Sequence, residues 1–248
     1  MAEKISVCMA VYNGAAYLKP QMCSILSQLR TNDEVVVVDD ASQDNSTELL
    51  RELSDARVPV YRNERNMGVL AAFERAMSQA QGEILFLSDQ DDIWLPGKVE
   101  KIIGAFSLNP EITLVASDAQ VIDETGCIVA DSFFEQRGPF SVGVLHNLIK
   151  NKYLGCTLAF RRSMLEYFLP IPRDVPMHDI WFGLINDISG KTHYIDQPLI
   201  AYRRHGNNVS PSVGAPILQK LVWRWRLAKN LLLHRVQYSL SGSRCSKS

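Results

Sequence analysis

Three carboxylates fall within four residues at the end of a buried-looking strand. The run Glu83–Ser88 is largely apolar, and Asp89, Asp91 and Asp92 follow it directly. Clustered acids disfavour folding, but they suit a hard divalent cation, which takes oxygen ligands and usually keeps waters and substrate phosphates. The stretch therefore predicts a site for Mg²⁺ or Mn²⁺ and a phosphate group. The competing interpretation is a solvated turn whose acids cap the next helix.

Two further polar clusters follow predicted strands earlier in the chain. The apolar run 5–11 ends at Tyr12, and the β-branched run 35–38 ends at Asp39 and Asp40. Helical patterns separate these runs, which indicates right-handed βαβ units and a mostly parallel sheet. Ligands of such sheets lie beyond the carboxyl ends of the strands, so we expect the three clusters to converge. Capping of the next helix is the alternative for either aspartate.

These clusters suit a nucleoside diphosphate held without a glycine-rich phosphate loop. A cation on Asp91 would neutralise the diphosphate, while Asp89 would accept a hydrogen bond from a ribose hydroxyl. Asp40 would accept from a base N–H, and Tyr12 could stack on the base. The sequence has neither G-x-x-x-x-G-K-[ST] nor G-x-G-x-x-G, which argues against an ATPase or a dinucleotide oxidoreductase. No nucleic-acid partner is expected.

The charge is unevenly distributed, although the composition, 46% hydrophobic and 21% charged, is that of an ordinary globular protein. Beyond Asp196 there are nine Lys or Arg residues and no acid, whereas the first 196 residues carry 27 acids and 17 bases. This asymmetry indicates a basic tail that meets something anionic. Residues 215–238 fit a helix with two tryptophans among its arginines, as in an interfacial membrane helix. A terminal helix packed on the domain is the alternative.

The cysteines and the hydropathy pattern bear on location. The five cysteines are scattered without C-x-x-C pairs, which favours a reducing cytosol. No signal peptide and no apolar run of about 18 residues are found. We expect a cytoplasmic protein, with peripheral contact on the inner face of the membrane through residues 215–238 left open.

Several motifs, in this order, resemble family 2 glycosyltransferases of the GT-A fold. They are Val11-Tyr12-Asn13-Gly14, Val38-Asp39-Asp40-Ala41-Ser42, Asn66-Met67-Gly68, Gly82-Glu83 and Asp89-Gln90-Asp91-Asp92. The second half is most similar to the bacterial rhamnosyltransferase-type branch, through Gly155-Cys156-Thr157, Met177-His178-Asp179 and the run Tyr202–Ser210. The resemblance covers roughly residues 4–210. It implies an α/β fold with a Rossmann-like, mostly parallel central sheet flanked by helices, a smaller acceptor-side subregion and a C-terminal helix.

The resemblance also implies roles for single residues. Asp91 would be the metal ligand and Asp89 a ribose or metal-water contact. Asp40 would read the pyrimidine, and Asp179 would be the general base of an inverting transfer. The remaining candidates are Ala10, Tyr12 and Asn66 on the donor nucleotide, His205 as a second metal ligand, and Trp94, Cys156, Thr157, His178 and Trp181 on the sugar or acceptor. A place in the core is the alternative for both tryptophans and for His178. The alternative for Asp179 is a first-turn acid that interacts with the helix dipole, and for His205 a solvated basic loop. Capping of the helix after Pro96, or bracing of the loop, is the better interpretation of Asp92.

The predicted activity is a metal-dependent inverting glycosyl transfer in cell-surface polysaccharide synthesis. A sugar, rhamnose or a hexose, would move from a dTDP- or UDP-linked donor to a glycan or lipid-linked acceptor. Residues 1–96 would form the nucleotide-binding half and 97–212 the acceptor-binding half of one domain, followed by a basic amphipathic helix and tail over 213–248. The alternatives are a sugar-phosphate nucleotidyltransferase and a non-catalytic nucleotide-sugar-binding module.

Overall fold

The structure, a computed structural model, describes residues 3–206, residue 208 and residues 216–245, with 136 and 237–245 described by their backbone only. Part of the polar loop predicted at 203–212 therefore lies outside the described residues. One central sheet of nine strands runs through the part that is described. Its strands are β1 Ile5–Val11, β2 Glu34–Asp39, β3 Val60–Arg62, β4 Ile84–Ser88, β5 Ile93–Trp94, β6 Leu114–Ile122, β7 Ile128–Ala130, β8 Ala159–Arg161 and β9 Thr192–Arg203.

Helices separate most of these strands, as the alternating pattern predicts. Short 3₁₀ turns at Gly155–Thr157 and Arg162–Met164 flank β8. The α-helices are α1 Ala15–Leu26, α2 Ser46–Glu52, α3 Val69–Gln79, α4 Lys98–Leu108, α5 Phe133–Arg137, α6 Val144–Ile149, α7 Leu165–Phe168, α8 His178–Ser189 and α9 Ile217–Cys245.

The strand order is β3-β2-β1-β4-β8-β6-β9-β5, with β7 paired to β6. The first four strands in this order are parallel, as predicted, and β1 lies between β2 and β4. The chain therefore switches sides of the sheet at β1, and a crevice forms at such a point. The register places Val11 opposite Asp39 and Met9 opposite Ser88, so the ends of the three strands lie near one another.

The second half adds antiparallel pairings. Strand β8 runs antiparallel to both β4 and β6, whereas β9 runs parallel to β6. The short strands expected at 192–195 and 199–202 form the single strand β9, whose register against β6 shifts near Pro198. Proline has no N–H to give to a ladder, so an irregularity is expected there. The strand predicted at 155–160 begins instead as the 3₁₀ turn.

Both faces of the parallel strands are covered, which is why they read as continuous apolar runs. On one face, side chains of β1 and β2 such as Val7 and Val35 pack with Met22 of α1. On the other face, Val36 and Leu85 pack with Phe73 and Met77 of α3. Each fully buried aliphatic side chain of this kind contributes roughly 1.5–3 kcal/mol. The two layers thereby hold the strand ends in fixed positions.

Helix α9 follows the part of the loop that is not described. Leu227 and Leu231 are buried in the core cluster that also contains Trp181. The helix thus packs on the domain, one of the two alternatives for this segment. Within the described residues, every helix is too short or too polar to span a bilayer.

Candidate active site

A cleft of about 340 Å³ opens beyond the carboxyl ends of the parallel strands. It contains all of the candidates predicted for the donor nucleotide, together with the predicted metal ligand Asp91. Its lining consists of Ala10, Val11, Tyr12, Asp40, Asn66, Gly68, Val69, Ala72, Phe73, Asp89, Gln90, Asp91, Met177, Tyr202 and Asn208. The convergence expected from the strand ends is therefore present, and helix α8 contributes the neighbouring Met177.

The Gln90 side chain links the end of β4 to the end of β1 through two hydrogen bonds. Its Oε1 accepts a hydrogen bond from the Tyr12 N–H at 2.8 Å, and its Nε2 donates to the Tyr12 carbonyl at 3.1 Å. A Cβ at Gly14 would lie 2.4 Å from the same Oε1, so glycine leaves the space that this amide occupies. The Tyr12 side chain is 43% exposed, which leaves its ring available above the cleft. Sequence reasoning missed Gln90, although it separates the two acids of the Asp-x-Asp motif.

Asp40 holds the loop that carries Asn66. Its Oδ1 accepts from the Met67 N–H at 2.9 Å and from the Asn63 side-chain amide at 2.6 Å. Its Oδ2 accepts from the Gly68 N–H at 2.8 Å. A carboxylate oxygen can accept two hydrogen bonds, so Oδ2 keeps capacity for a ligand N–H.

Asp39 has a different environment, although it is the neighbour of Asp40 in sequence. It is fully buried and accepts from the Ser42 N–H, the Thr47 hydroxyl and the Arg62 guanidinium. Burial alone would raise the pKa of Asp39, but these hydrogen bonds and the Arg62 charge hold it below the usual value. Asp39 therefore fixes the turn after β2 and is not available to a ligand.

Asp91 meets the loop that follows β9. Its Oδ2 lies 2.8 Å from Nε2 of His205, and the Asn208 amide approaches the same oxygen at 3.4 Å. The His205 ring stacks on Tyr17 at 4.8 Å between centroids. The two predicted metal ligands are thus adjacent. The carboxylate is an oxygen ligand of the kind that Mg²⁺ and Mn²⁺ take, whereas the imidazole nitrogen suits Mn²⁺ better than Mg²⁺.

Asp92 lies below the cleft. Its Oδ1 accepts from the Arg203 N–H at 2.8 Å, which ties β9 to the acidic stretch, as the bracing interpretation expects. Its Oδ2 has no hydrogen-bond partner within the described part of the chain. Burial, followed by the charge of Asp91, raises the pKa of Asp92 to about 7.

A second group of potential ligands also lies at this depth. One ligand atom from each of Asp89, Asp92 and Cys156 lies within 4.8 Å of the others. Burial, with the charges of the two aspartates, raises the pKa of the Cys156 thiol well above its usual value, so the thiol stays protonated. A neutral thiol is a poor ligand for Mg²⁺ or Mn²⁺, so this group fits such a cation less well than the Asp91–His205 pair.

Lys98 places a cation behind the acids, at the start of α4. It is fully buried, donates from Nζ to the Cys156 carbonyl at 2.7 Å and lies 4.5 Å from the Trp94 ring centroid. Burial lowers the pKa of Lys98 to about 8, against the opposing effect of Cys156, Asp92 and Asp89. The sequence carried a signal for it, because Lys98 is the first basic residue after the acidic stretch.

Asp179 lies in the first turn of α8. Burial raises its pKa to about 6, although hydrogen bonds, including a long one of 3.5 Å from the Asn151 amide, act in the opposite direction. Burial, followed by the charges of Asp92, Asp91 and Asp179, raises the pKa of Asp89 well above its usual value. A carboxylate with a pKa near 6 is matched to proton abstraction near neutral pH.

The five residues predicted to contact the sugar or the acceptor are all buried, so that prediction needs correction. Their exposed fractions are 2% or less, for Trp94, Cys156, Thr157, His178 and Trp181. Trp181 donates from Nε1 to the Phe168 carbonyl, and the Thr157 hydroxyl donates to the Leu154 carbonyl. Trp94 packs on Phe86 in the core. Neither tryptophan presents a face to a sugar.

His178 belongs to the wall behind the cleft. Its ring lies 4.2 Å from that of Phe73, and no residue described in the structure bonds to either of its nitrogens. A Cβ at Gly155 would lie 2.8 Å from Nε2, so the glycine makes room for the ring. Burial lowers the pKa of His178 to about 3, which keeps the imidazole neutral. His178 therefore has a place in the core, the alternative to a contact with the acceptor.

Comparison with known proteins supports the predicted family. The family model "Glycosyl transferase family 2" matches residues 6–168. An uncharacterized glycosyltransferase of Nostoc sp. is 31% identical over 218 residues, covering 83% of this chain and 66% of the relative. The UDP-Glc:alpha-D-GlcNAc-diphosphoundecaprenol beta-1,3-glucosyltransferase WfgD of Escherichia coli is 28% identical over 185 residues, covering 74% of this chain and 70% of the relative. The chain thus spans about two thirds of the length of these relatives.

Solved structures agree on the fold. Residues 1–349 of TarS from S. aureus, in complex with UDP-GlcNAc, match with a TM-score of 0.68 at 18% identity, covering 88% of this chain and 64% of that one. The mannosyltransferase PcManGT from Pyrobaculum calidifontis, in complex with GDP-Man and Mn²⁺, matches with a TM-score of 0.62 at 20% identity, covering 96% of this chain and 64% of that one. The motifs, the fold and the family match agree, and the chain belongs to glycosyltransferase family 2.

Proposed function

We propose that this chain is a metal-dependent inverting glycosyltransferase that uses a nucleoside-diphosphate sugar. One observation carries the proposal: Asp40, Asp89 and Asp91 line a single cleft, and Asp179 follows Met177, another residue of the cleft lining, by two positions at the start of α8. This arrangement supports the roles proposed here, with Asp40 as the base-reading acid, Asp89 as the ribose contact, Asp91 as the metal ligand and Asp179 as the general base.

The donor nucleotide occupies the end of the cleft formed by β1 and β2. Tyr12 stacks on the base, Asp40 accepts from a base N–H through Oδ2, and Ala10 and Asn66 complete the contacts. The donor is UDP- or dTDP-linked. Support for a uridine nucleotide comes from the name of WfgD, which states UDP-Glc, and from the complex of TarS with UDP-GlcNAc.

Asp91 and His205 hold the divalent cation, Mg²⁺ or Mn²⁺. When bound, the cation offsets the charge that grows on the departing diphosphate. The mutual approach of the two side chains at 2.8 Å supports this assignment, as does the Mn²⁺ in the PcManGT complex. Asp89 contacts the ribose or a water on the metal.

Asp179 acts as the general base. It takes the proton from an acceptor hydroxyl, whose oxygen bonds to the anomeric carbon while the bond from that carbon to the diphosphate oxygen breaks. Attack from the opposite face inverts the configuration, and a single carboxylate is sufficient for it. The pKa near 6 leaves most Asp179 side chains ionised at neutral pH.

The acceptor is a glycan or lipid-linked intermediate in cell-surface polysaccharide synthesis, on the cytoplasmic face of the membrane. The support is the name of WfgD, which states a diphosphoundecaprenol-linked acceptor. The transferred sugar is rhamnose or a hexose. The nucleotide that the site prefers, dTDP or UDP, would indicate which of the two it is.

A thermal-shift screen of UDP, GDP, dTDP and their sugars with Mn²⁺ tests the donor. Selective stabilisation by dTDP would indicate rhamnose, and by UDP a hexose. Donor hydrolysis should then be slow without acceptor, stop with EDTA and be lost in Asp91→Asn. Near wild-type turnover in that variant would refute the proposal, and pyrophosphate release from a nucleoside triphosphate would favour a nucleotidyltransferase.

A further inference from the structure

Helix α9 is apolar on two opposite sides. One side is buried on the domain through Leu227 and Leu231. The other, which we call the outer face, is between 39% and 74% exposed and consists of Leu218, Leu221, Val222, Trp225, Leu232, Leu233 and Val236. At 3.6 residues per turn these seven side chains fall within an arc of roughly 120°. An apolar stripe of this length on the water side has no role in packing the residues that the structure describes.

Polar contacts fix the helix in this orientation. The Arg224 guanidinium donates to the carbonyls of Leu148 and Ile149 at 3.1 and 2.7 Å. Lys229 and Asn230 both bond to Asp174, each at 2.7 Å. These bonds prevent α9 from rolling its outer face onto the domain, so that face stays turned outward.

The neighbouring helix α6 enlarges the exposed apolar surface. Leu145 and Ile149 are 77% and 69% exposed, and the bond from Arg224 to Ile149 joins the end of α6 to α9. Two adjacent helices therefore expose large aliphatic side chains. Exposed apolar surface of this extent marks an interaction site.

The charges near the outer face favour one kind of partner. The sequence has no acid after Asp196. At 3.6 residues per turn, Arg226 lies beside the arc of the outer face and Lys229 lies within it, whereas Lys220 falls on the side of Leu227 and Leu231. A second copy of this chain would bring the same positive charges against them. A membrane surface of anionic lipids offers both an apolar layer and negative headgroups, and the exposed Trp225 suits the boundary between them.

We propose that the outer face of α9 docks on an anionic lipid membrane, with Leu221 and Trp225 entering the headgroup–acyl boundary. This inference rests on the proposed function only in so far as a lipid-linked acceptor gives the contact its purpose. The binding itself requires neither donor nor metal, so it is measured separately from catalysis.

Co-sedimentation with vesicles of phosphatidylcholine, with and without phosphatidylglycerol, tests the proposal on the full chain. We expect binding to the anionic vesicles that weakens with salt, and a loss of about tenfold or more in the double variant Leu221→Glu/Trp225→Glu. Leu108→Glu is the matched control, because Leu108 is 89% exposed at the end of α4. Its binding should equal that of the wild type.

Two further measurements separate the alternatives. Arg226→Gln should weaken the preference for anionic vesicles, and Trp225→Phe should reduce quenching of tryptophan fluorescence by brominated lipid. A wild type that ignores both vesicle types, or a dimer that Leu221→Glu/Trp225→Glu abolishes, would overturn the proposal. Donor hydrolysis without vesicles should be unchanged in the double variant. Vesicle binding by a wild type that turns over no donor would instead overturn the proposed function.

Discussion

The Nε2 atom of His205 lies 2.8 Å from the Oδ2 atom of Asp91, across the join between the loop after β9 and the end of β4. Tyr17 of α1 supports the imidazole from one side by stacking. Two candidate ligands from distant parts of the sequence are therefore brought together by packing, and the loop after β9 is coupled to the acidic stretch.

Changing either member of this pair should weaken metal binding. In Asp91→Asn we expect the Mn²⁺-dependent increase in Tm to vanish and turnover to fall about 100-fold or more, since a neutral amide is a weak ligand. His205→Gln should raise the Mn²⁺ concentration for half-maximal activity about 10- to 100-fold. His193→Gln, at an exposed histidine, is the control. Equal Mn²⁺ titrations for the His205 variant and the wild type would contradict the assignment.

Turnover should follow the ionisation of Asp179. The pKa of Asp179 is raised to about 6 by burial, so kcat/KM should fall about tenfold per pH unit below pH 6 and level off above it. Asp179→Asn should abolish the fall of kcat/KM below pH 6 and leave donor binding intact. A matching loss in Asp187→Asn, which changes another partly buried acid of α8, would show that the fold and not the base is at fault.

The same pKa shift predicts a change in stability. A carboxyl group whose folded pKa lies above its unfolded value destabilises the folded state once it ionises, so the penalty is absent below about pH 4 and complete above about pH 6. Asp179→Asn should therefore raise the free energy of unfolding by roughly 1–3 kcal/mol at pH 7.5 and by little at pH 4. Urea denaturation at both pH values measures the difference. An increase that is equal at both pH values would contradict the cause given for the shift.

Gln90 and Gly14 should act as one unit. Gly14→Ala would push the Gln90 amide off the Tyr12 backbone, so we expect each of Gly14→Ala and Gln90→Ala to raise the donor KM about fivefold to tenfold with little change in kcat. The double variant should be no worse than Gln90→Ala alone, because the lost contact is shared. Additive effects of the two substitutions on the donor KM would show that Gly14 and Gln90 act independently.

The donor half of the site could be predicted because its residues are placed by local sequence patterns. A parallel strand ends where its apolar run ends, so the positions of Tyr12, Asp40 and Asp89 at one edge follow from the sequence pattern. The pairing of Asp91 with His205 could be suggested only through the family motif, since strand β9 must first be placed beside β6 and β5.

The acceptor side could not be predicted, for a physical reason. Trp94 and Trp181 each lie two residues after an acid in the sequence, and Cys156 lies in a short turn. At such positions packing decides whether a side chain points to the cleft or away from it. In the structure the second half of the chain buries all three. Lys98 was not predicted either, because an isolated lysine at the start of a helix is expected to be exposed to solvent.

Lys98 and Asp92 should be coupled in stability. Lys98 is a buried cation near a buried carboxylate whose Oδ2 lacks a partner among the residues described. Removing one member of such a set leaves an uncompensated charge, so Lys98→Met should lower the free energy of unfolding by about 3 kcal/mol. In the Lys98→Met background, Asp92→Asn should restore much of the lost free energy of unfolding, with a coupling energy of about 1 kcal/mol or more.

Urea titrations at constant m-value measure this double-mutant cycle. Lys101→Met, at an exposed position one turn later in α4, is the control. If Asp92→Asn costs the same with and without Lys98, the two charges do not interact, and the contacts of Lys98 with the Cys156 carbonyl and the Trp94 ring account for its contribution.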